Sequence, residues 1–184
     1  MAAMDSATFP PVAADTLPIL MAPHPLLKRR TRLVTAADAE QVRAMVPRMF
    51  DAMYRAPGIG LAAPQVGLSL RFAVIDLMPD DKRAPFVLVN PEIIATSEDL
   101  ATREEGCLSL PGMFAEVTRP ARVKVRYHDE AGLRHEIDAD GLLAACMQHE
   151  IDHLHGVLFV DHLSLIKRNM IMRRLAKEQR KGGK

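Results

Sequence analysis

The order of apolar and polar residues along the chain predicts three helices. After Thr35, which can cap a first turn, apolar residues recur every three or four positions, as in a helix with one buried face. These positions are Val42, Met45, Val46, Met49, Phe50 and Met53, and Pro47 predicts a bend among them. Residues 142–156 predict a second helix, apolar enough to be buried. Residues 163–184 predict a terminal helix with one apolar and one strongly basic side.

Segments rich in β-branched residues predict the strands. "LRFAVIDL" (70–77) and "PFVLVNPEII" (85–94) have this composition, and residues 121–130 and 133–141 alternate around a turn at Gly132, which predicts a hairpin. Two segments, 57–67 and 105–112, are predicted to be loops. Because strands occur in runs with few helices between them, we expect an α+β fold and not a wound parallel sheet.

Composition narrows the class of protein. The chain has 184 residues, of which 48% are hydrophobic, and its net charge of +1 provides no overall field for binding nucleic acid. We expect a flexible tail over residues 1–16 and a single domain over 17–184, with no sequence-specific nucleic-acid contact. Two cysteines make no disulfide framework, and no apolar run reaches the roughly 18 residues of a membrane helix. A cytoplasmic protein without a membrane segment is therefore expected.

A metal-binding pattern lies on the second predicted helix. His149 and His153 are four residues apart, so they share one face of the helix, with Glu150 beside them. The alternative is a buried helix whose histidines only satisfy core hydrogen bonds. The three residues in register on an apolar helix favour the metal. A catalytic site normally has three protein ligands and one open position for water, so a third ligand must come from elsewhere.

The third ligand of the zinc proteases is not found downstream. One protease pattern requires a histidine where Phe159 stands, and another requires a glutamate on a later helix, where only Glu178 occurs, in a basic segment. Cys107 is a better candidate, because it lies in a predicted loop and a thiolate binds metals well. The alternative for Cys107 is a buried, inert thiol, which is the interpretation we prefer for Cys146.

"GIGLAAPQVG" (58–67) contains Gly58, Gly60 and Ala63 at the spacing of a dinucleotide-binding fingerprint. That fingerprint must follow a strand and open a helix, whereas here a helix precedes the segment and a strand follows it. We therefore expect the glycines to allow a close approach of the backbone, with the Gln65 amide as a donor nearby.

Three segments together resemble the signature segments of the peptide deformylases, in their order and spacing. They are "GIGLAAPQ" (58–65), "EGCLS" (105–109) and "HEIDH" (149–153), and the resemblance extends from about residue 18 to 168. It implies an α+β fold with antiparallel or mixed sheets around a central buried metal-binding helix, in the bacterial form that ends in an extra helix. It also implies a metal-dependent hydrolase that removes the formyl group from N-formylmethionyl nascent peptides and releases formate.

The resemblance assigns a role to individual residues. Cys107 becomes the third metal ligand beside His149 and His153, and Glu150 becomes the general base. The backbone N–H of Leu108 and the side-chain amide of Gln65 would stabilise the oxyanion. The residues placed against the substrate are Gly58, Ile59, Gly60, Glu105, Gly106, Leu142, Ala145 and Cys146. Glu105 and Arg119 resemble a buried ion pair of the family, the alternative being a weak surface pair.

The ligand types and the family resemblance predict different metals. Mixed Cys and His ligands alone favour zinc, whereas the resemblance implies Fe(II) in the cell, with Zn, Ni or Co able to occupy the site in purified samples. Two other functions stay open on the residues alone, a zinc endopeptidase and a binding module with a structural metal.

The basic segment 162–184 has two interpretations as well, a solvated helix face or a contact with the phosphates of the ribosome.

Overall fold

The structure is a computed structural model, and it describes residues 16–182. Except for Thr16, the tail predicted over residues 1–16 lies outside the described residues. Three α-helices are present in the described part, α1 (Ala39–Arg55), α2 (Gly141–Leu154) and α3 (Leu165–Gly182). The strands are β1 (Gly60–Ala62), β2 (Phe72–Ile75), β3 (Phe86–Thr96), β4 (Leu100–Cys107), β5 (Leu110–Pro120), β6 (Arg122–His128) and β7 (Arg134–Asp140).

The strands form two antiparallel sheets. Five strands make the larger sheet in the order β1-β2-β3-β6-β7, and β4 and β5 pair with each other in a separate sheet. Every pairing between these strands is antiparallel. The predicted α+β class is therefore confirmed, and so is the hairpin of β6 and β7.

α2 is the central helix of the structure. It contacts β1, β2, β3, β6 and β7 of the larger sheet. Its buried side chains are Ala144, Cys146, Met147, Gln148, Glu150, Ile151, His153 and Leu154. The apolar members of this set hold the helix on the sheet by the burial of their surface. The polar members, Gln148, Glu150 and His153, are buried with them, which confirms the prediction of a buried helix that carries the histidines.

The outer helices bury one face each. α1 turns Val42, Val46, Met49, Phe50, Ala52 and Met53 inward, as its apolar spacing predicted. Asp38 accepts hydrogen bonds from the Thr35 N–H and hydroxyl, both at 2.8 Å, in the short turn before the helix. On α3, Leu175 is the most deeply buried side chain, at 1% exposure, and it packs with Ala22 and Leu110. No helix of the described residues is both long and apolar enough to cross a membrane.

Both predicted loops contain strand. Residues 57–67 include β1 and a short turn of 3₁₀-helix over Ala63–Val66, and residues 105–112 include the end of β4 and the start of β5. The sequence did not indicate β4 because Glu105 is its one buried residue. A strand that is exposed on both faces has no alternation of apolar and polar residues, so its pattern resembles that of a loop.

Candidate metal centre

Three side chains from two elements converge beside the central helix. Cys107 ends β4, while His149 and His153 lie one turn apart on α2. Their potential ligand atoms all lie within 4.8 Å of one another, and Cys107 Sγ is 3.3 Å from His153 Nε2. This is the one such group of three side chains in residues 16–182. The structure therefore brings Cys107 to the histidine pair, as the sequence resemblance implied.

Glu105 orients one of these histidines. Its Oε2 lies 3.0 Å from His149 Nδ1, so Nε2 of the ring remains available to the centre. Arg119 in turn donates to Glu105 at 2.6 and 3.0 Å. Burial opposes ionisation, but the hydrogen bonds from His149 and Arg119 outweigh it and lower the pKa of Glu105 to about 2. The side chains of Arg119 and Glu105 are 7% and 9% exposed, so the pair is buried.

Two further residues extend this ion pair, and the sequence analysis missed both. Arg119 also donates to Asp152 Oδ2 at 2.8 Å, and His162 Nε2 lies 2.7 Å from the same oxygen. Asp152 lies within the HEIDH motif, three residues after His149, so its position next to the ligands was a usable signal. His162 had no such signal, because it reaches the network only through the turn that follows α2.

Glu150 is buried beside the ligands. It is 3% exposed, and its Oε2 has no hydrogen-bond partner among the described residues. Burial is the main cause that raises the pKa of Glu150 to about 7, and a cation held by the three ligands would act in the opposite direction. A buried carboxylate oxygen without a protein partner is unusual outside functional sites. Glu150 therefore has the environment of a group that exchanges protons.

Gln65 is held with its amide nitrogen toward the ligands. Its Oε1 accepts a hydrogen bond from the Ala62 N–H at 2.8 Å, which fixes the orientation of the amide group. Its Nε2 donates to Ser109 Oγ at 3.1 Å and lies 3.6 Å from Cys107 Sγ. Leu108 follows Cys107 in the turn between β4 and β5. Ser109 is fully buried and is a further residue that the sequence analysis missed.

A cavity of about 800 Å³ opens in front of these residues. The predicted site residues that line it are Gly58, Ile59, Gly60, Gln65, Glu105, Gly106, Cys107, Leu108, Leu142, Ala145, Cys146, His149 and Glu150. His153 does not line it and is 1% exposed. The ligand set is therefore closed by protein behind His153 and accessible on the side of Cys107 and His149.

The residues fit a first-row divalent ion. One thiolate and two imidazoles are donors that zinc and iron both accept. Three protein ligands with an open side toward a cavity are typical of a catalytic ion, whereas a structural zinc normally has four protein ligands. Glu150 next to that open side supports the same conclusion.

Similarity to known proteins extends over most of the chain. The model of the family described as Polypeptide deformylase matches residues 16–169. A peptide deformylase of Agrobacterium fabrum is 47% identical over 164 residues, which cover 89% of this chain and 96% of the relative. One of Brucella suis is 50% identical over 161 residues, covering 87% and 91%. The crystal structure of a peptide deformylase from Legionella pneumophila has a TM-score of 0.84 and 46% identity, and the match covers 90% of this chain and 96% of that one.

Proposed function

The chain belongs to the peptide deformylase family and removes N-formyl groups from nascent peptides, and from this premise we propose that Cys107, His149 and His153 hold one catalytic ion. The observation that carries the proposal is the convergence of these three ligand atoms within 4.8 Å, next to a buried Glu150. When bound, a divalent ion lowers the pKa of a coordinated water and polarises the carbonyl oxygen.

For the identity of the ion we propose Fe(II) in the cell. The two histidines and the thiolate also accept Zn, Ni or Co in a purified sample. The test is an anaerobic preparation loaded separately with iron and with zinc. A higher turnover of the iron form is expected, and equal turnover of the two forms would contradict the assignment.

Glu150 acts as the proton carrier. Its carboxylate takes a proton from the attacking water and returns it to the nitrogen of the leaving peptide. Burial favours the protonated form of this carboxyl group and a bound ion favours its ionised form, so the group can both accept and return the proton. His149 precedes Glu150 on α2, so one helical turn positions both a ligand and the base.

Gln65 and Leu108 stabilise the negative charge that develops on the formyl oxygen. The Gln65 amide nitrogen is oriented toward the centre by the Ala62 N–H, and the Leu108 N–H lies one residue from the Cys107 ligand. Such a fixed donor costs no reorganisation during the reaction, and the loss of one typically lowers kcat by about 10²–10³-fold.

The cavity selects the substrate by size and polarity. Ile59, Leu142, Ala145 and Cys146 provide apolar surface for the methionine side chain. Formyl is the smallest acyl group, so a crowded pocket around the carbonyl excludes acetyl by steric conflict. Because β4 pairs only with β5 in the described chain, its other edge, which includes Gly106, is available to an extended peptide.

One experiment separates this function from its rivals. The protein is incubated with formyl-Met-Ala-Ser and, separately, with casein, and free amine is measured. Hydrolysis of the formyl peptide alone is expected. Cleavage of casein would indicate an endopeptidase, and no reaction with either substrate would indicate a structural metal.

A metal at Cys107, His149 and His153 is checked by anomalous scattering, and an ion that lies away from the Cys107 sulfur would contradict the ligand set.

We further propose that α3 holds the enzyme at the ribosome, in the cytoplasm where nascent chains are made. The helix exposes Ile166 and Met170, at 75% and 64%, and the exposed cations Arg173 and Lys177. Cations on one helix can bind RNA phosphates in a salt-dependent way without sequence specificity.

Charge reversal tests the ribosome contact better than truncation does, because Leu175 is part of the core. Arg173→Glu combined with Lys177→Glu should weaken co-sedimentation with ribosomes at low salt and leave hydrolysis of formyl-Met-Ala-Ser intact. Arg43→Glu with Lys82→Glu, an equal change of charge on α1 and a surface turn, is the matched control. Equal co-sedimentation of the two variants would contradict the contact.

A further inference from the structure

We propose that the groove between α3 and the start of β5 is a second peptide subsite, which binds nascent-chain residues beyond those in the catalytic cavity. The inference rests on the deformylase function proposed above and specifies how this chain engages a long substrate. The groove has a volume of about 690 Å³. It is lined by Met21, Pro111, Gly112, Met113, Arg174, Leu175, Glu178 and Gln179.

The groove adjoins the catalytic cavity. Four residues, Met21, Pro111, Gly112 and Met113, line both spaces. A peptide that leaves the cavity on this side therefore passes beside the groove. This adjacency is the reason to assign the groove to the substrate and not to another partner.

The boundary shared by the two spaces is lined mainly by exposed residues. Met21 is 50% exposed, and Pro111 and Gly112 are exposed as well. A Cβ added at Gly112 would meet no atom within 4 Å, so no side chain blocks the passage there. Met113, at 3% exposure, forms an apolar floor beneath it.

The groove is preformed. Its wall, α3, is fixed by Leu175, which is buried in a cluster with Ala22, Leu110 and Met113. Gln179 Nε2 donates to the Ala22 carbonyl at 2.9 Å and holds the helix against the segment that carries Met21. A peptide that binds here does not have to order the groove, which reduces the entropic cost of binding.

The length of the substrate places its later residues outside the cavity. A cavity of about 800 Å³ is in the range that encloses a drug-sized ligand, which corresponds to a short peptide. An extended chain advances roughly 3.3–3.6 Å per residue, so later residues of a nascent chain must lie outside the cavity. The groove receives these residues along α3.

The charge of the groove predicts a sequence preference. Arg174 is exposed and forms no ion pair among residues 16–182, whereas Glu178 is paired with Lys181 at 3.3 Å. The unpaired guanidinium favours an acidic side chain in the part of the substrate that follows the first three residues. Exposed pairs of this kind contribute modestly, so we expect about a two- to fivefold effect on kcat/KM.

The test is a series of formyl-Met peptides of three to eight residues, with Asp or Lys placed in turn at positions four to seven. For the unmodified enzyme, kcat/KM should rise with length through a lower KM, and one position should prefer Asp over Lys about two- to fivefold. Arg174→Ala should lose this preference. Arg180→Ala removes an equal charge one to two turns later on α3, outside the groove. This variant should retain the preference for Asp. Both variants should hydrolyse formyl-Met-Ala-Ser as the unmodified enzyme does.

Two results would overturn the subsite. One is a kcat/KM that does not change beyond three residues, and the other is an Asp preference that Arg174→Ala and Arg180→Ala affect equally. Either result leaves hydrolysis of the short peptide in place, so the deformylase function stands without the groove. Failure of the short peptide to react would refute the function itself, independently of the groove.

Discussion

Replacing Gly60 with alanine tests whether the close approach of β1 to α2 positions the base. An ideal Cβ at residue 60 would lie 2.3 Å from Glu150 Oε1 and 2.8 Å from its carboxyl carbon. These separations are far below the contact distance of about 3.5 Å at which non-bonded heavy atoms attract each other. The carboxylate must therefore move away by roughly an ångström.

This displacement should reduce catalysis much more than stability. A misplacement of about 1 Å can cost on the order of 10²-fold in rate, so we expect kcat of Gly60→Ala to fall about 100-fold. The clash involves the end of a flexible side chain, so the stability loss should stay within the 1–3 kcal/mol typical of overpacking. The three atoms nearest to the added Cβ all belong to Glu150 and not to a metal ligand, so metal content should be unchanged.

The assay is steady-state hydrolysis of formyl-Met-Ala-Ser, with metal content and the free energy of unfolding measured on the same samples. A double-mutant cycle then shows whether the effect passes through the base. In the Glu150→Gln background, Gly60→Ala should cost little further activity, because the proton carrier has already been lost. Near-normal kcat of the metal-replete single variant would refute the reasoning, and so would full additivity of the two substitutions.

Three other predictions concern single residues of the site and the core. Glu150→Gln alone should keep the metal, because all three ligands remain. It should lower kcat by at least about 10²-fold, because the base is lost. Normal turnover of a metal-replete Glu150→Gln variant would contradict the role of Glu150 as the base. Cys107→Ser should lose metal on dialysis, as measured by atomic absorption, whereas Cys146→Ser, which changes the other thiol, should retain it. Tyr54→Phe removes the hydroxyl that donates to the fully buried Asp76 at 2.6 Å. A hydrogen bond to a charged group is worth about 1.5–3 kcal/mol, so urea unfolding should show a loss of that order, and an unchanged midpoint would contradict it.

Local sequence patterns determined the helices and the nature of the site. The apolar spacing before and after Met49 predicted α1, and the His149–His153 spacing predicted a metal on α2, because a helix repeats its contacts every three to four residues. The same local rule excluded the dinucleotide interpretation of residues 58–67, since the order of elements around it was wrong. The family, peptide deformylase, was indicated by three separate segments of the sequence. No rule of local structure connects these segments, so the family could be inferred only from their resemblance to its signature segments.

Only the tertiary structure decided how these segments meet. Cys107 reaches His153 because β4 and β5 form a small separate sheet, and the largely exposed strand β4 left no pattern in the sequence. The contact between Gly60 and Glu150, and the link from Arg119 to His162, join residues more than 40 positions apart. Such distances depend on how the sheets and α2 pack against each other, and packing is set by shape complementarity over the whole core and not by the spacing within any one element.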